Sequence, residues 1–180
     1  MVRVFDPTRT DPTVITIRGI QDLIYRKTNG LSSSEIKKAV DQFLSRKQYS
    51  LMLEDFHKAE KPFPDIVIKN NCTYENLFFH RSKYNFNYFK GAFEPENNKI
   101  YLCSNFLLNL LEVKENLDRE LVLAYDHSVR GCNFEKDADV ACSLVRSCRA
   151  QLENYGWNED LLKEMSRVCA RNLFKVDLFN

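Results

Sequence analysis

From residue 105 to the C-terminus, apolar side chains recur at helical rather than strand spacing, and this feature restricts the fold more than any other. Leu117, Leu121, Val122, Ala124, Tyr125 and Val129 describe one stripe, and Val140, Leu144, Val145 and Leu152 a second. Gly156 separates these from a last helix that begins near Asn158, whose side chain can cap it, and that carries Leu161, Leu162, Met165, Val168 and Leu173. Successive amphipathic helices must bury their stripes against one another or against a sheet.

The preceding sequence supplies the sheet. Ile66 to Ile68 form a short apolar run, and two further runs, 87–93 and 99–103, flank the turn residues Pro95, Glu96, Asn97 and Asn98, a hairpin pattern. The nearby aromatics Phe78, Phe79, Tyr84, Phe86, Tyr88, Phe89 and Phe93 have few interleaved cations, so they read as packing residues rather than a base-stacking platform. Between about 32 and 58 the pattern is helical, with Ser32 and Glu35 placed as a capping box and Ile36, Ala39, Val40, Phe43 and Leu44 on one face. Lys61, Pro62, Phe63 and Pro64 end that helix and mark an internal boundary. Residues 1–20 read as an extended arm with a β-rich run at Val14, Ile15 and Ile17. The expected architecture is α+β: a small antiparallel sheet packed on a helical C-terminal half (65–180), preceded by an N-terminal arm and helix (1–64).

Charge excludes some function classes. The 26 basic and 25 acidic residues give a net charge of +1 and are spread throughout, so no long-range field draws in nucleic acid. No apolar run reaches the roughly 18–20 residues that a membrane-spanning helix needs, and the first twenty residues lack a signal-peptide core. A peripheral protein without a transmembrane segment is expected. The six cysteines, Cys72, Cys103, Cys132, Cys142, Cys148 and Cys169, contain no CxxC pair, so cysteine-held structural zinc is not expected. Both buried free thiols and up to three disulfides remain open on the residues alone.

Residues 118–127 read DRELVLAYDH. A zinc-protease helix carries HExxH because residues four apart share a helical face: two imidazoles grip one ion, and the glutamate reaches the bound water as general base. The frame fits with Glu120 in the base position, but Arg119 and Leu123 stand where the histidines would be. The surrounding blocks are similar to the mitochondrial intermembrane-space metalloprotease family that processes and helps assemble the membrane sector of ATP synthase, the Atp twenty-three family. Its metal helix reads approximately HELIHAYDH, and this chain keeps Glu120, Leu121, Ala124, Tyr125, Asp126 and His127. Gly91, Ala92, Phe93 and Glu94, followed by Lys99, Ile100, Tyr101, Leu102 and Cys103, resemble the family's glycine-glycine-phenylalanine-aspartate hairpin and isoleucine-x-leucine-cysteine strand. Val140 to Arg146 resembles its leucine-alanine-cysteine-serine-glutamate-(isoleucine or valine)-arginine helix, and Cys169, Ala170 and Arg171 its cysteine-valine-arginine stretch. The resemblance covers residues 87–175 and implies a zincin-like remnant.

The departures from the pattern carry the functional expectation. Neither a guanidinium nor an isobutyl group donates an electron pair to a metal, and Leu144 replaces an acidic residue that would be a natural third ligand. The degenerate positions Arg119, Glu120, Leu123 and Leu144 therefore predict no catalytic site, no metal and no cofactor. Leu123 is expected to fill the former pocket with hydrocarbon. Adjacent helix residues point different ways, so no Arg119–Glu120 pair is expected. His127 reads as a hydrogen-bonded helix-end histidine, and His57 and His80, outside the resemblance, as surface or partly packed residues. Cys103, Cys142 and Cys169 fall on family cysteine positions while Cys132 and Cys148 do not, and the family's paired cysteines before the hairpin are missing, so its full disulfide pairing does not carry over.

The resemblance thus implies a non-catalytic pseudo-metalloprotease. It would act as an accessory subunit or assembly factor of a mitochondrial inner-membrane respiratory-chain or ATP synthase complex, peripheral on the intermembrane-space side, through contacts with that complex's subunits. Two alternatives stand beside it: an active zinc metallopeptidase with unusual ligands, and a general adaptor domain outside mitochondria.

Overall fold

The computed structural model describes residues 30–70, Cys72 and residues 90–173. The expected N-terminal arm, His80 and the aromatics from Phe78 to Phe89 lie outside the described residues.

The first helical stretch is two helices, α1 (Ser33–Leu44) and α2 (Lys47–Lys58). The capping box forms as its spacing requires: the Ser32 N–H donates to Glu35 Oε2 at 2.9 Å, and the Glu35 N–H donates to Ser32 Oγ at 3.3 Å. The break falls at Arg46, whose backbone is extended (φ −76, ψ 149). Just before it, the Ser45 hydroxyl donates back to the Gln42 carbonyl at 2.8 Å, a local bond that competes with helix continuation. Apolar periodicity does not register a two-residue interruption of this kind.

Three strands follow: β1 (Asp65–Lys69), β2 (Gly91–Glu94) and β3 (Lys99–Cys103), in the order β1-β3-β2. β2 and β3 are the expected antiparallel hairpin, with Glu94 opposite Lys99 and Gly91 opposite Leu102. Asn98 takes a positive φ of 50 in the turn, a conformation asparagine tolerates. β1, however, runs parallel to β3, so the sheet is mixed rather than wholly antiparallel. Strand patterning reports the period of a segment, not the direction of its neighbour.

The C-terminal half is helical as read: α3 (Leu110–Ser128), α4 (Asp137–Leu152) and α5 (Glu159–Leu173). The Asn158 side chain accepts from the Leu161 N–H at 2.9 Å and starts α5. Leu162 is buried, whereas Leu161 is 43% exposed and outside the core that its stripe suggested.

One hydrophobic core joins Ile36, Val40, Phe43 and Phe56 of α1 and α2 to Ile100 and Leu102 of β3 and to Leu117, Leu121 and Ala124 of α3. Helices on both sides of residue 64 therefore share this core. A second cluster lies where α4 meets α5. α3 sits between the two and touches α1, α2, α4, β2 and β3. Its residues 115–121 are buried without interruption, a segment that includes Glu115, Asn116, Asp118, Arg119 and Glu120. Among the described residues no helix is long and apolar enough to cross a membrane.

Candidate functional site

A helix buried on every face must satisfy each polar side chain internally. Arg119 and Glu120 do this by pairing with each other, against the sequence expectation. Arg119 Nε donates to Glu120 Oε1 at 2.6 Å, Nη2 approaches the same oxygen at 2.6 Å, and Nη2 also donates to the Gly91 carbonyl at 3.0 Å. The two Cβ atoms do point apart, but the long guanidinium stem turns back under the sheet, where no water competes for the charge. The pair is almost wholly buried, with Arg119 8% and Glu120 2% exposed.

Gly91 makes this approach possible. A Cβ there would lie 3.1 Å from Leu102 Cδ2, 3.2 Å from the Tyr101 carbonyl oxygen and 3.4 Å from Asn116 Cβ. The two tight contacts are with β3, so the lack of a side chain lets β2 lie close against its hairpin partner while its carbonyl reaches Arg119 of α3.

Leu123, one turn after Arg119, has different neighbours. It is partly buried and packs on the cluster of Val140, Leu144, Cys148 and Ala170, together with Phe134, Val145 and Cys169. The structure thus brings Leu123 and Leu144 into one hydrocarbon cluster while Arg119 and Glu120 close against β2. His127 lies between the rings of Phe93 and Phe134, with centroids 5.9 Å and 5.3 Å away. Burial lowers its pKa from 6.5 and favours the neutral ring. Among the described residues, these two ring contacts are those that His127 makes. His57 is exposed.

The chemistry of this donor set does not fit a catalytic zinc ion. At the two imidazole positions stand a cation and a hydrocarbon, and the cation already occupies the carboxylate that would act as base. Among the described residues no group of three or more His, Cys, Asp or Glu side chains is arranged to hold a metal.

Sequence reasoning missed the residue that organises this region. Asp126 is fully buried; its Oδ2 accepts from Ser143 Oγ and from Arg146 Nε, each at 2.8 Å, and Arg130 Nε lies 3.4 Å from Oδ1. Asp126 on α3 and Ser143 with Arg146 on α4 belong to two separate motif blocks, and that co-occurrence was the available signal. Towards the start of α3, Asp118 accepts from Lys114 Nζ at 2.6 Å, from Asn154 Nδ2 at 3.2 Å and from the Tyr49 hydroxyl. Burial and Asp118 together raise the Tyr49 pKa. Glu115 is 5% exposed, and burial raises its pKa above 4.5 despite a hydrogen bond from Tyr155.

Two disulfides are present. Cys72–Cys103 joins β3 to the segment after β1, and Cys148–Cys169 joins α4 to α5. Cys132 and Cys142 are free thiols. A cleft of about 520 Å³ lies between α1 and β1, lined by Val40, Leu44, Phe63 and Ile66 among others; none of its lining residues belongs to α3 or α4.

The family model described as the peptidase M76 family matches residues 34–172, from the start of α1 nearly to the end of α5. That span is wider than the 87–175 of the sequence resemblance and takes in α1, α2 and β1. No curated protein and no solved structure matches the chain.

Proposed function

The chain belongs to the peptidase M76 family, and from that premise we propose that it is a non-catalytic member, retained for its binding surface rather than for hydrolysis. One observation carries the reading: the helix frame that would hold zinc is taken up by an internal ion pair at Arg119 and Glu120 and by the hydrocarbon cluster that takes in Leu123 and Leu144. Glu120 binds a guanidinium instead of polarising water, and burying Leu144 contributes about 1.5–3 kcal/mol of stability that a ligand set would forgo.

Such a chain acts through protein contacts. The resemblance of its motif blocks to the mitochondrial intermembrane-space metalloprotease family directs the proposal to an accessory subunit or assembly factor of an inner-membrane respiratory-chain or ATP synthase complex, peripheral on the intermembrane-space side. Exposed Leu51, Leu53, Leu110, Leu111 and Tyr155, each about half accessible, supply apolar surface that such contacts use.

Two measurements test this. Metal analysis of the purified chain should find no zinc at stoichiometric level, and a chelator-sensitive equivalent of zinc would refute the loss of catalysis. Mild detergent extraction of mitochondria and native separation should show the chain migrating at constant ratio with one large inner-membrane complex. Recovery as a free monomer, or in cytosol, would refute the subunit role.

A further inference from the structure

Cys132 and Cys142 are the two thiols that the disulfides leave free, one half-buried in the loop between α3 and α4 and the other exposed on α4. The loop is tied at several points. The Cys132 N–H donates to the Asp126 carbonyl at 2.9 Å, and the Asn133 N–H donates to Asp139 Oδ2 at 2.9 Å. Cys132 Sγ itself lies 3.7 Å from Arg146 Nη2. Asp139, Cys142 and Arg146 are spaced three and four residues apart and so form one stripe along α4. Helical side chains lean towards the N-terminus, which carries the Arg146 guanidinium back over the turn that holds Cys142. The segment 132–133 therefore runs along this stripe, anchored at Asp139 on one side of Cys142 and at Arg146 on the other.

We propose that Cys132 and Cys142 are a third disulfide site, closed by thiol–disulfide exchange with an external disulfide and opened by an external dithiol. The exposed Cys142 thiolate attacks the external disulfide, forms a mixed disulfide and expels one thiolate. Cys132 then loses its proton and attacks Cys142 Sγ, and the second external thiolate leaves. Two thiol protons and two electrons leave the protein, and the external disulfide is reduced to two thiols. Burial and the Asp126 carboxylate hold the Cys132 pKa up, which suits it to the second, intramolecular step, with Arg146 beside the thiolate as it forms. The closed bridge locks the loop over the buried Asp126 contacts that join α3 to α4.

The test uses the full-length chain. After incubation with oxidised glutathione, remaining thiols are trapped with N-ethylmaleimide at acid pH and the digest is mapped by mass spectrometry. The expected product is a peptide pair linked through Cys132 and Cys142, two hydrogens lighter than the reduced pair, with Cys72–Cys103 and Cys148–Cys169 unchanged. In C132S and in C142S the remaining thiol should instead carry one glutathione. Two separate glutathione adducts on the unsubstituted chain, a Cys142 link to a second chain, or full alkylation of both thiols would overturn the proposal. The mapping of the unsubstituted chain decides the matter even where a variant folds poorly.

Discussion

Replacing Arg119 by methionine keeps most of the alkyl stem and removes the charge, so the variant measures what the guanidinium contributes. It leaves Glu120, 2% exposed, without its cation, and the Gly91 carbonyl without its donor. Stranding one partner of a buried ion pair costs about 3–5 kcal/mol, a large share of the roughly 5–15 kcal/mol that holds a domain folded. With a urea dependence of about 2 kcal/mol per molar, the unfolding midpoint should fall by about 1.5–2.5 M, read by circular dichroism at neutral pH. Glu120→Leu, which strands the cation, should cost a similar amount. The double variant R119M/E120L strands only the Gly91 carbonyl and should lose about 1–3 kcal/mol, far less than the two single losses added together. A cost below about 1 kcal/mol for R119M, or additive losses in the double variant, would refute the claim that this pair closes the site.

Other consequences are equally direct. Replacing Arg119 and Leu123 by histidine and Leu144 by glutamate rebuilds a ligand set, and calorimetry should show zinc binding that the parent chain lacks; equal zinc uptake by both would contradict the reading of the helix. Gly91→Ala forces a Cβ to 3.1 Å from Leu102 and 3.2 Å from the Tyr101 carbonyl and should cost about 1–3 kcal/mol by thermal or urea unfolding. Burial raises the Glu115 pKa, so folding favours the protonated form: that contribution is complete below the unfolded value of 4.5 and is lost as pH rises through the folded value. Glu115→Gln should therefore be more stable than the parent at neutral pH and remove this part of the pH profile. His127 has the opposite sense: its lowered pKa favours the neutral ring, so its contribution is complete above 6.5 and is lost as pH falls, and His127→Phe should flatten that acid limb. Cys169→Ser opens a bridge spanning 21 residues and should cost about 3 kcal/mol, measured against the parent under non-reducing conditions.

What could be read from the chain alone was whatever depends on spacing. Helical period fixes α3, α4 and α5; Ser32 with Glu35 and Asn158 with the Leu161 amide fix two helix starts, because a cap is a contact between near neighbours in sequence. The hairpin follows from its turn residues, and the HExxH-like frame, with Arg119 and Leu123 where histidines would stand, was legible without any coordinates. The direction of β1 was not, nor was the break at Arg46.

Tertiary structure alone decided what surrounds Arg119, Glu120, Leu123 and Leu144. The spacing rule for adjacent helix residues argues against an Arg119–Glu120 pair, and it fails here because residues 115–121 of α3 are buried without interruption and the Gly91 carbonyl lies close enough to hold the guanidinium over its neighbour. Leu123 and Leu144 share one cluster because α4 packs on α3 through Asp126, Ser143 and Arg146. Cysteine partners, likewise, are set by which segments come to lie side by side. Sequence records local period and the chemistry of each side chain, but partners distant in the chain are chosen by the packing that excludes water between them.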